Sequence, residues 1–278
     1  MTIPANDAAG LLAALGTDQF GDSLDQICRR FSCFEMSCAF AFNEARLPVL
    51  IHDGYSSQLS RQVLARYLQG GYLLDPFYAA SVASTEAKLW RMGDLSPDQF
   101  HGSEFAGSTA IHPCISAQEG ALVEEIGFLV PLEGGWSMTY SLMRDHRHKR
   151  FNDREFSSLD SLTALVAAAC RQHWAGISAK FKAGGGVESV LQRAFGRALT
   201  PMQFEVVTMI LRGYSGASIA ASLGISAGTV KVHRHNAYHR LGISTQADLF
   251  ALFLDELEKP TEAKPTSKPA TDRLNALV

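Results

Sequence analysis

The chain reads as an α+β sandwich, an antiparallel sheet flanked by helices, joined to an all-α four-helix unit built around a helix-turn-helix. Three observations predict this. Helical and strand-like hydrophobic spacing alternate through the first 175 residues, a short polar glycine-rich stretch follows, and from Leu199 only helical spacing remains, punctuated by Ser, Thr and Gly. With 278 residues the chain is long enough for two domains, and its 46% hydrophobic and 19% charged content rules out a wholly disordered chain.

Leu11 and Leu15, then Leu24, Ile27 and Phe31, recur at helical spacing, so two helices are expected between Ala8 and Phe34, broken near Gly16 and Gly21. CAFAFNE and LPVLIHDGY are short, β-prone and bounded by turn formers, which suits two antiparallel strands; a helix from Ser57 to Leu68 follows. GFLVPLEGGWSMTYSLMRD repeats the strand pattern around a turn at Glu133-Gly134-Gly135 and predicts a hairpin. From Asn152, a candidate cap, Phe156, Leu159, Leu162, Leu165, Val166 and Ala169 predict a helix to Trp174.

GISAKFKAGGGVES marks a flexible connection, and EKPTEAKPTSKPATDR lacks any period. The expected divisions are a sensor or dimerisation domain over 1–175, a flexible linker over 176–196, the helix-turn-helix domain over 197–257 and a disordered tail over 258–278.

In the last domain, Thr200 with Pro201 starts a helix that Gly213 ends. Ser215 starts a second, closed at Gly224; Ser226 starts a third, stopped at Gly242; Ser244 or Thr245 opens the fourth. Val206, Met209, Ile210, Ile219, Leu223, Val230, Ala237, Leu241, Leu249, Leu252 and Phe253 supply the inward positions. The tight turn Gly224-Ile225-Ser226 holds the third helix at a fixed angle to the second, as a DNA-reading helix requires.

Placing Val230, Ala237 and Leu241 inward turns Thr229, Lys231, Val232, His235, Asn236 and His239 outward, with Arg234 and Arg240 at the flanks. Residues 226–240 hold no Asp or Glu, whereas a merely solvated helix face usually mixes both signs. Such a face suits a major groove: Lys231 as donor to guanine, Val232 against a thymine methyl, and hydroxyl, amide and basic groups for phosphates. Because the chain's net charge is −3, DNA affinity must come from this local placement.

This segment, through its LTP start, Ile219-Ala220, Leu223-Gly224-Ile225-Ser226, Thr229-Val230-Lys231-Val232-His233 and Leu241-Gly242, resembles the LuxR-type helix-turn-helix family over about residues 197–254. The resemblance implies that Lys231, Val232 and His235 approach bases, that Thr229, Arg234 and Asn236 lie near the backbone, and that the fourth helix carries a dimer contact. Met202, Gln203 and Phe204 depart from the charged residues common after LTP, and Ser218 replaces a common Glu. The G-x-S-x-G of Gly224 to Gly228 is no nucleophile elbow, because a helix and not a strand precedes Ser226.

In the first domain, GGYLLDPFYAAS, Trp90 and EIGFLVPLEGG resemble in order and spacing the autoinducer-binding domains attached to the same module. That resemblance implies a ligand amide donating to Asp75, with Trp90 closing one end of the pocket. Tyr72, Asp75 and Trp90 are the candidate ligand-binding residues. Two readings of Asp75 stand: a buried carboxylate awaiting a ligand N–H, or a cap before Pro76 beside ordinary core aromatics. HGSEFAGSTAIHPCISAQEGAL is an extra stretch suited to a lid, a wall or a protein contact, with His101 and His112 exposed.

No HExxH, P-loop or dinucleotide glycine pattern occurs before residue 176, so no catalytic residue, metal site or cofactor is expected. Five cysteines, Cys28, Cys33, Cys38, Cys114 and Cys170, form no CxxC and suit free thiols in a reducing cytoplasm. The amino terminus lacks a signal-peptide pattern and no run reaches membrane-span length. The expected protein is a cytoplasmic, one-component, dimeric transcription regulator whose partners are palindromic double-stranded DNA, a second copy of itself, RNA polymerase and a small-molecule effector. The alternative is a ligand-independent regulator whose first domain serves dimerisation or protein docking.

Overall fold

The computed structural model describes residues 3–43, 46–54, 64, 67–68, 71–95, 122–145, 147–181, 187–211 and 214–258. Most of the expected 57–68 helix, the 101–121 stretch with His101, His112 and Cys114, Gly213, and the tail from 259 lie outside the described residues.

Helices α1 (Ala5–Ala14) and α2 (Phe20–Arg29) lead into strands β1 (Met36–Asn43) and β2 (Arg46–Gly54). Helix α3 (Pro76–Ala83), strand β3 (Lys88–Arg91) and the single turn α4 (Met92–Leu95) follow, then the hairpin of β4 (Leu122–Pro131) and β5 (Trp136–Asp145), and α5 (Asp153–Asp160) and α6 (Thr163–His173). The sheet is antiparallel with order β2-β1-β5-β4-β3. Gly134 and Gly135, at φ +64° and +72°, make the β4–β5 turn in a region that favours glycine.

Register sorts the side chains. Trp90, Gly127, Ser141 and Cys38 stand in one row across the sheet, and Leu129, Thr139 and Phe40 in the next, all on one face. Helix α3 covers that face, its Phe77 ring so close that a Cβ on Gly127 would meet it at 2.9 Å. The opposite face presents Ala39, Leu89, Ile126, Phe128, Val130, Met138, Tyr140 and Leu142 to Leu24 and Ile27 of α2 and to Val166 and Cys170 of α6.

Three sequence readings need correction. Gly16 (φ +77°) breaks the first helical stretch, but Gly21 lies inside α2, where a Cβ would meet His52 Nδ1 at 2.0 Å; its glycine serves close packing and not a break. The helix from Asn152 divides at Ser161-Leu162 into α5 and α6. The stretch 176–196 carries helices α7 (Ile177–Lys180) and α8 (Val187–Phe195), because Ile177, Leu191 and Phe195 are buried and reward helix formation on either side of the glycine run.

The carboxy-terminal unit comprises α9 (Pro201–Leu211), α10 (Gly216–Leu223), α11 (Ala227–Leu241) and α12 (Gln246–Glu258). Val206, Val207, Ile210, Ile219, Val230, Ala237, Leu249 and Phe253 are buried in its core, with Met209, Leu223, Leu241 and Leu252 packed against them. Among the described residues no helix is long and apolar enough to cross a membrane.

Candidate nucleic-acid interface and sensor face

Each helix of the carboxy-terminal unit is started by its own sequence. Thr200 Oγ1 accepts from the Gln203 N–H at 3.4 Å while Gln203 Oε1 accepts from the Thr200 N–H at 3.1 Å, so Gln203 completes a reciprocal cap. Ser215 Oγ accepts from the Ser218 N–H at 3.1 Å and lies 2.9 Å from Ser218 Oγ, which gives Ser218 a place in the same cap. Ser226 Oγ accepts from the Thr229 N–H at 3.0 Å to start α11. Gly224 and Gly242, at φ +64° and +70°, close α10 and α11 in the left-handed conformation. Asp248 Oδ2 accepts from the Ser244 and Thr245 N–H groups, both at 2.9 Å, and these bonds hold its carboxyl below the usual range.

Burial of Val230, Ala237 and Tyr238 fixes the rotation of α11. Lys231, Val232, Arg234, His235, Asn236, His239 and Arg240 are exposed, and Thr229 and His233 are half-buried. Val232 is 56% exposed, an apolar side chain that folding alone leaves without reward. Lys231, Arg234 and His235 also line a groove of about 280 Å³ whose far wall is Ser244, Thr245 and Gln246, at the start of α12. Tyr238 sits in that groove, mostly buried, and burial raises its phenol pKa. Tyr238 and this wall are not among the residues the sequence points to, although Tyr238 stands one helical turn beyond Arg234.

In the first domain, α3 brings Asp75 onto the face that carries Trp90. Tyr67, Tyr72, Tyr78, Phe40 and Phe42 form an aromatic layer there, with Tyr72 edge-on to Tyr78 at 4.8 Å and Phe40 4.7 Å from Tyr67. Asp75 is buried as the N-cap of α3: Oδ1 accepts from the Phe77 N–H at 2.8 Å and Oδ2 from the Tyr67 hydroxyl at 2.7 Å. Burial, then the neighbouring Asp75 carboxylate, drives the Tyr67 pKa well up, so Tyr67 stays a donor. Thr139 Oγ1 is buried on the same face without a hydrogen-bond partner among the described residues. Trp90 is half-buried on the edge strand, with Lys88 Nζ 3.8 Å above its ring.

Glu35, Asp145 and His148 place potential metal-ligand atoms within 4.8 Å of one another. Arg147 Nε donates to both Asp145 carboxylate oxygens, and the Asp145 N–H donates to Glu35 Oε2, so the cluster already serves as an ion-pair corner at the end of β5. Cys28, Cys33, Cys38 and Cys170 are free thiols; burial pushes Cys28 up to about 12.

A capped helix-turn-helix with an acid-free outer face, joined to an α+β domain, defines the class of a DNA-binding regulator. Residues 197–253 match the family model of bacterial regulatory proteins, luxR family. The chain is 29% identical over 200 residues to an HTH-type transcriptional regulator from the exeN 3' region of Aeromonas salmonicida, covering 66% of this chain and 94% of that protein. It is 40% identical over 57 residues to the transcriptional regulatory protein MctR of Rhizobium johnstonii, covering 20% of this chain and 27% of the relative. Its fold is similar to the crystal structure of the VqsR LBD domain from Pseudomonas aeruginosa, with a TM-score of 0.50 and 23% identity over 60% of this chain and 94% of that one. The carboxy-terminal segment is a luxR-family helix-turn-helix, and the chain is a transcription regulator that carries it.

Proposed function

We propose that the protein is a cytoplasmic, one-component regulator that binds palindromic DNA as a dimer, with its first domain taking a small molecule that biases dimer geometry. The exposed, acid-free face of α11 carries the DNA half of this reading. In it Lys231, Val232 and His235 approach base edges, while Thr229, Arg234 and Asn236 hold the backbone. The groove between Arg234 and Thr245 suits a phosphate, since the Arg234 guanidinium and the Ser244 and Thr245 hydroxyls border it. The proposed divisions are 1–175, 176–196, 197–257 and 258–278, with 176–196 connecting through short helices. RNA polymerase is the further protein partner proposed.

The ligand half rests on the aromatic layer with Asp75 beneath it, and on the fold shared with the VqsR LBD domain. A ligand amide would bind at the Asp75–Tyr67 pair, with Tyr72 and Trp90 as walls. The competing reading, a ligand-free dimerisation or docking module, is favoured by one observation: both Asp75 oxygens already hold protein donors.

Selection of bound duplexes from a random pool tests the DNA reading, with the expectation of inverted half-sites about one helical turn apart. Recovery of unrelated sequences would overturn sequence-specific binding, and a single unrepeated site would overturn the dimer. Native mass spectrometry of protein from its own host tests the ligand. A stoichiometric small molecule weakened by Tyr67→Phe supports the sensor; an empty dimer that binds DNA supports the docking module.

A further inference from the structure

On the sheet face turned away from the aromatic layer, α2, β2 and the end of α6 enclose a cavity of about 290 Å³. Its walls are aromatic. The His173 ring stacks on Phe20 at 3.9 Å and 13°, and Trp174 stands edge-on to His173 at 4.7 Å. His173 is a neutral wall at pH 7: burial first, then Lys180, pushes its pKa down to about 4, and its Nδ1 accepts the Gly16 N–H at 3.0 Å.

Two lining residues, His52 and Tyr140, belong to a closed polar network that continues behind the cavity wall. Asp25 Oδ1 accepts from Tyr140 at 2.5 Å, Oδ2 accepts from Ser37 at 2.6 Å, and His52 Nε2 lies 3.5 Å from Oδ2. Burial would raise the Asp25 pKa, but bonds from His52, Ser37 and Tyr140 hold it below the usual value. Ser37, His52 and Asp25 are the residue types of a hydrolytic triad, yet their geometry is not one. The same His52 nitrogen faces both Ser37 Oγ, at 3.2 Å, and Asp25, while Ser37 donates directly to the carboxylate. A triad histidine must use its two nitrogens separately.

The mouth supplies the missing polarity. Asp18, Asp22 and Asp53 border the cavity, and among the described residues no Lys or Arg lines it, the neighbouring Lys180 holding its Nζ 5.3 Å from the Trp174 ring. Aromatic walls below a carboxylate rim favour a cation over an anion of the same shape, through ring quadrupoles and direct Coulomb attraction. The volume admits a single-ring molecule with a short side chain.

We infer that this cavity is a binding site for a small arylalkylammonium compound, its ring against Phe20, His173 and Trp174 and its ammonium at Asp18 and Asp22. The inference is independent of the Asp75 reading, because the two sites lie on opposite faces of the sheet.

The test is titration of the full chain with 2-phenylethylammonium, and with phenylacetate as the anionic counterpart, by calorimetry and by NMR of the tryptophan indole N–H signals. Saturable one-to-one binding of the amine, at least about tenfold tighter than phenylacetate, is expected, with the Trp174 signal moving and Trp90 unmoved. Asp18→Asn with Asp22→Asn, both exposed positions, should weaken the amine by about tenfold at unchanged melting temperature. Absence of saturation to about 10 mM, equal binding of phenylacetate, or an unmoved Trp174 would overturn the inference. Binding lost in Tyr67→Phe but kept in the aspartate double variant would move the ligand to the Asp75 face, overturning this site while supporting the sensor reading.

Discussion

The Tyr67 hydroxyl and the Phe77 amide each hold one oxygen of Asp75, at 2.7 and 2.8 Å, so a single carboxylate both starts α3 and ties Tyr67 beneath it. The cap is therefore part of the fold. Tyr67→Phe removes one charge-assisted bond and is expected to cost about 1.5–3 kcal/mol. Asp75→Ala removes the cap as well and takes an acceptor from the buried hydroxyl, which should cost more. Urea unfolding of both variants checks the order; equal stability of Asp75→Ala and wild type would show the carboxylate to be structurally idle.

Gly21→Ala sets two effects of opposite sign against each other. Helix propensity alone would stabilise α2 by about 1 kcal/mol. The new Cβ would fall 2.0 Å from His52 Nδ1, and the ring can move only by disturbing its contacts with Ser37 and Asp25. Overpacking of this kind costs about 1–3 kcal/mol. A net loss of stability is expected in thermal melts, and a gain would show that His52 is free to shift.

Acid stability should depend on Glu155. Its pKa is depressed to about 2, chiefly by the bonds from Arg144, against a competing burial effect. A depressed carboxylate adds stability that is full above pH 4.5 and lost as pH falls toward 2. Partial exposure screens the pair, so on the order of 1–2 kcal/mol is expected. Unfolding curves between pH 5 and about 2 should flatten in Glu155→Gln; an unchanged slope would place the acid sensitivity elsewhere.

Ser226→Ala should destabilise the carboxy-terminal unit by about 1 kcal/mol through loss of the α11 cap. Ser226→Asp keeps an acceptor and should recover stability while weakening DNA binding, since it adds a negative charge beside the reading face. Equal DNA affinity of the aspartate variant and wild type would argue that the start of α11 stays clear of the phosphates.

The legible parts of this chain were those whose signals are local. Ser215, Ser226, Gly224 and Gly242 mark helix ends by their own backbone chemistry, and the four carboxy-terminal helices follow from them. Both hairpins showed as β-prone runs around turn residues. β3 escaped because Lys88 to Arg91 is too short to display a period, and α8 because the glycine run before it masked Leu191 and Phe195. The role of Gly21 does not show in the sequence, since its reason is His52, a partner distant in sequence. The Asp25 network was invisible for the same cause: its bonds reach across 12 and 115 positions to Ser37 and Tyr140. Lys231, Val232, Arg234, His235 and Asn236 are exposed together on α11, as the sequence placed them, and Thr229 is half-buried at the helix start. Tyr72 and Asp75 are buried, and Trp90 half-buried at the sheet edge.

The central claim is that α11 reads DNA sequence, and the most direct test is fluorescence anisotropy of the full chain on its selected duplex and on a scrambled one, with Lys231→Ala beside wild type. The variant is expected to lose about 1–3 kcal/mol on the selected duplex and much less on the scrambled one, so that the specificity ratio shrinks. An unchanged affinity for both duplexes would contradict it, and equal losses on both would make Lys231 a phosphate contact and leave the reading of bases to other residues.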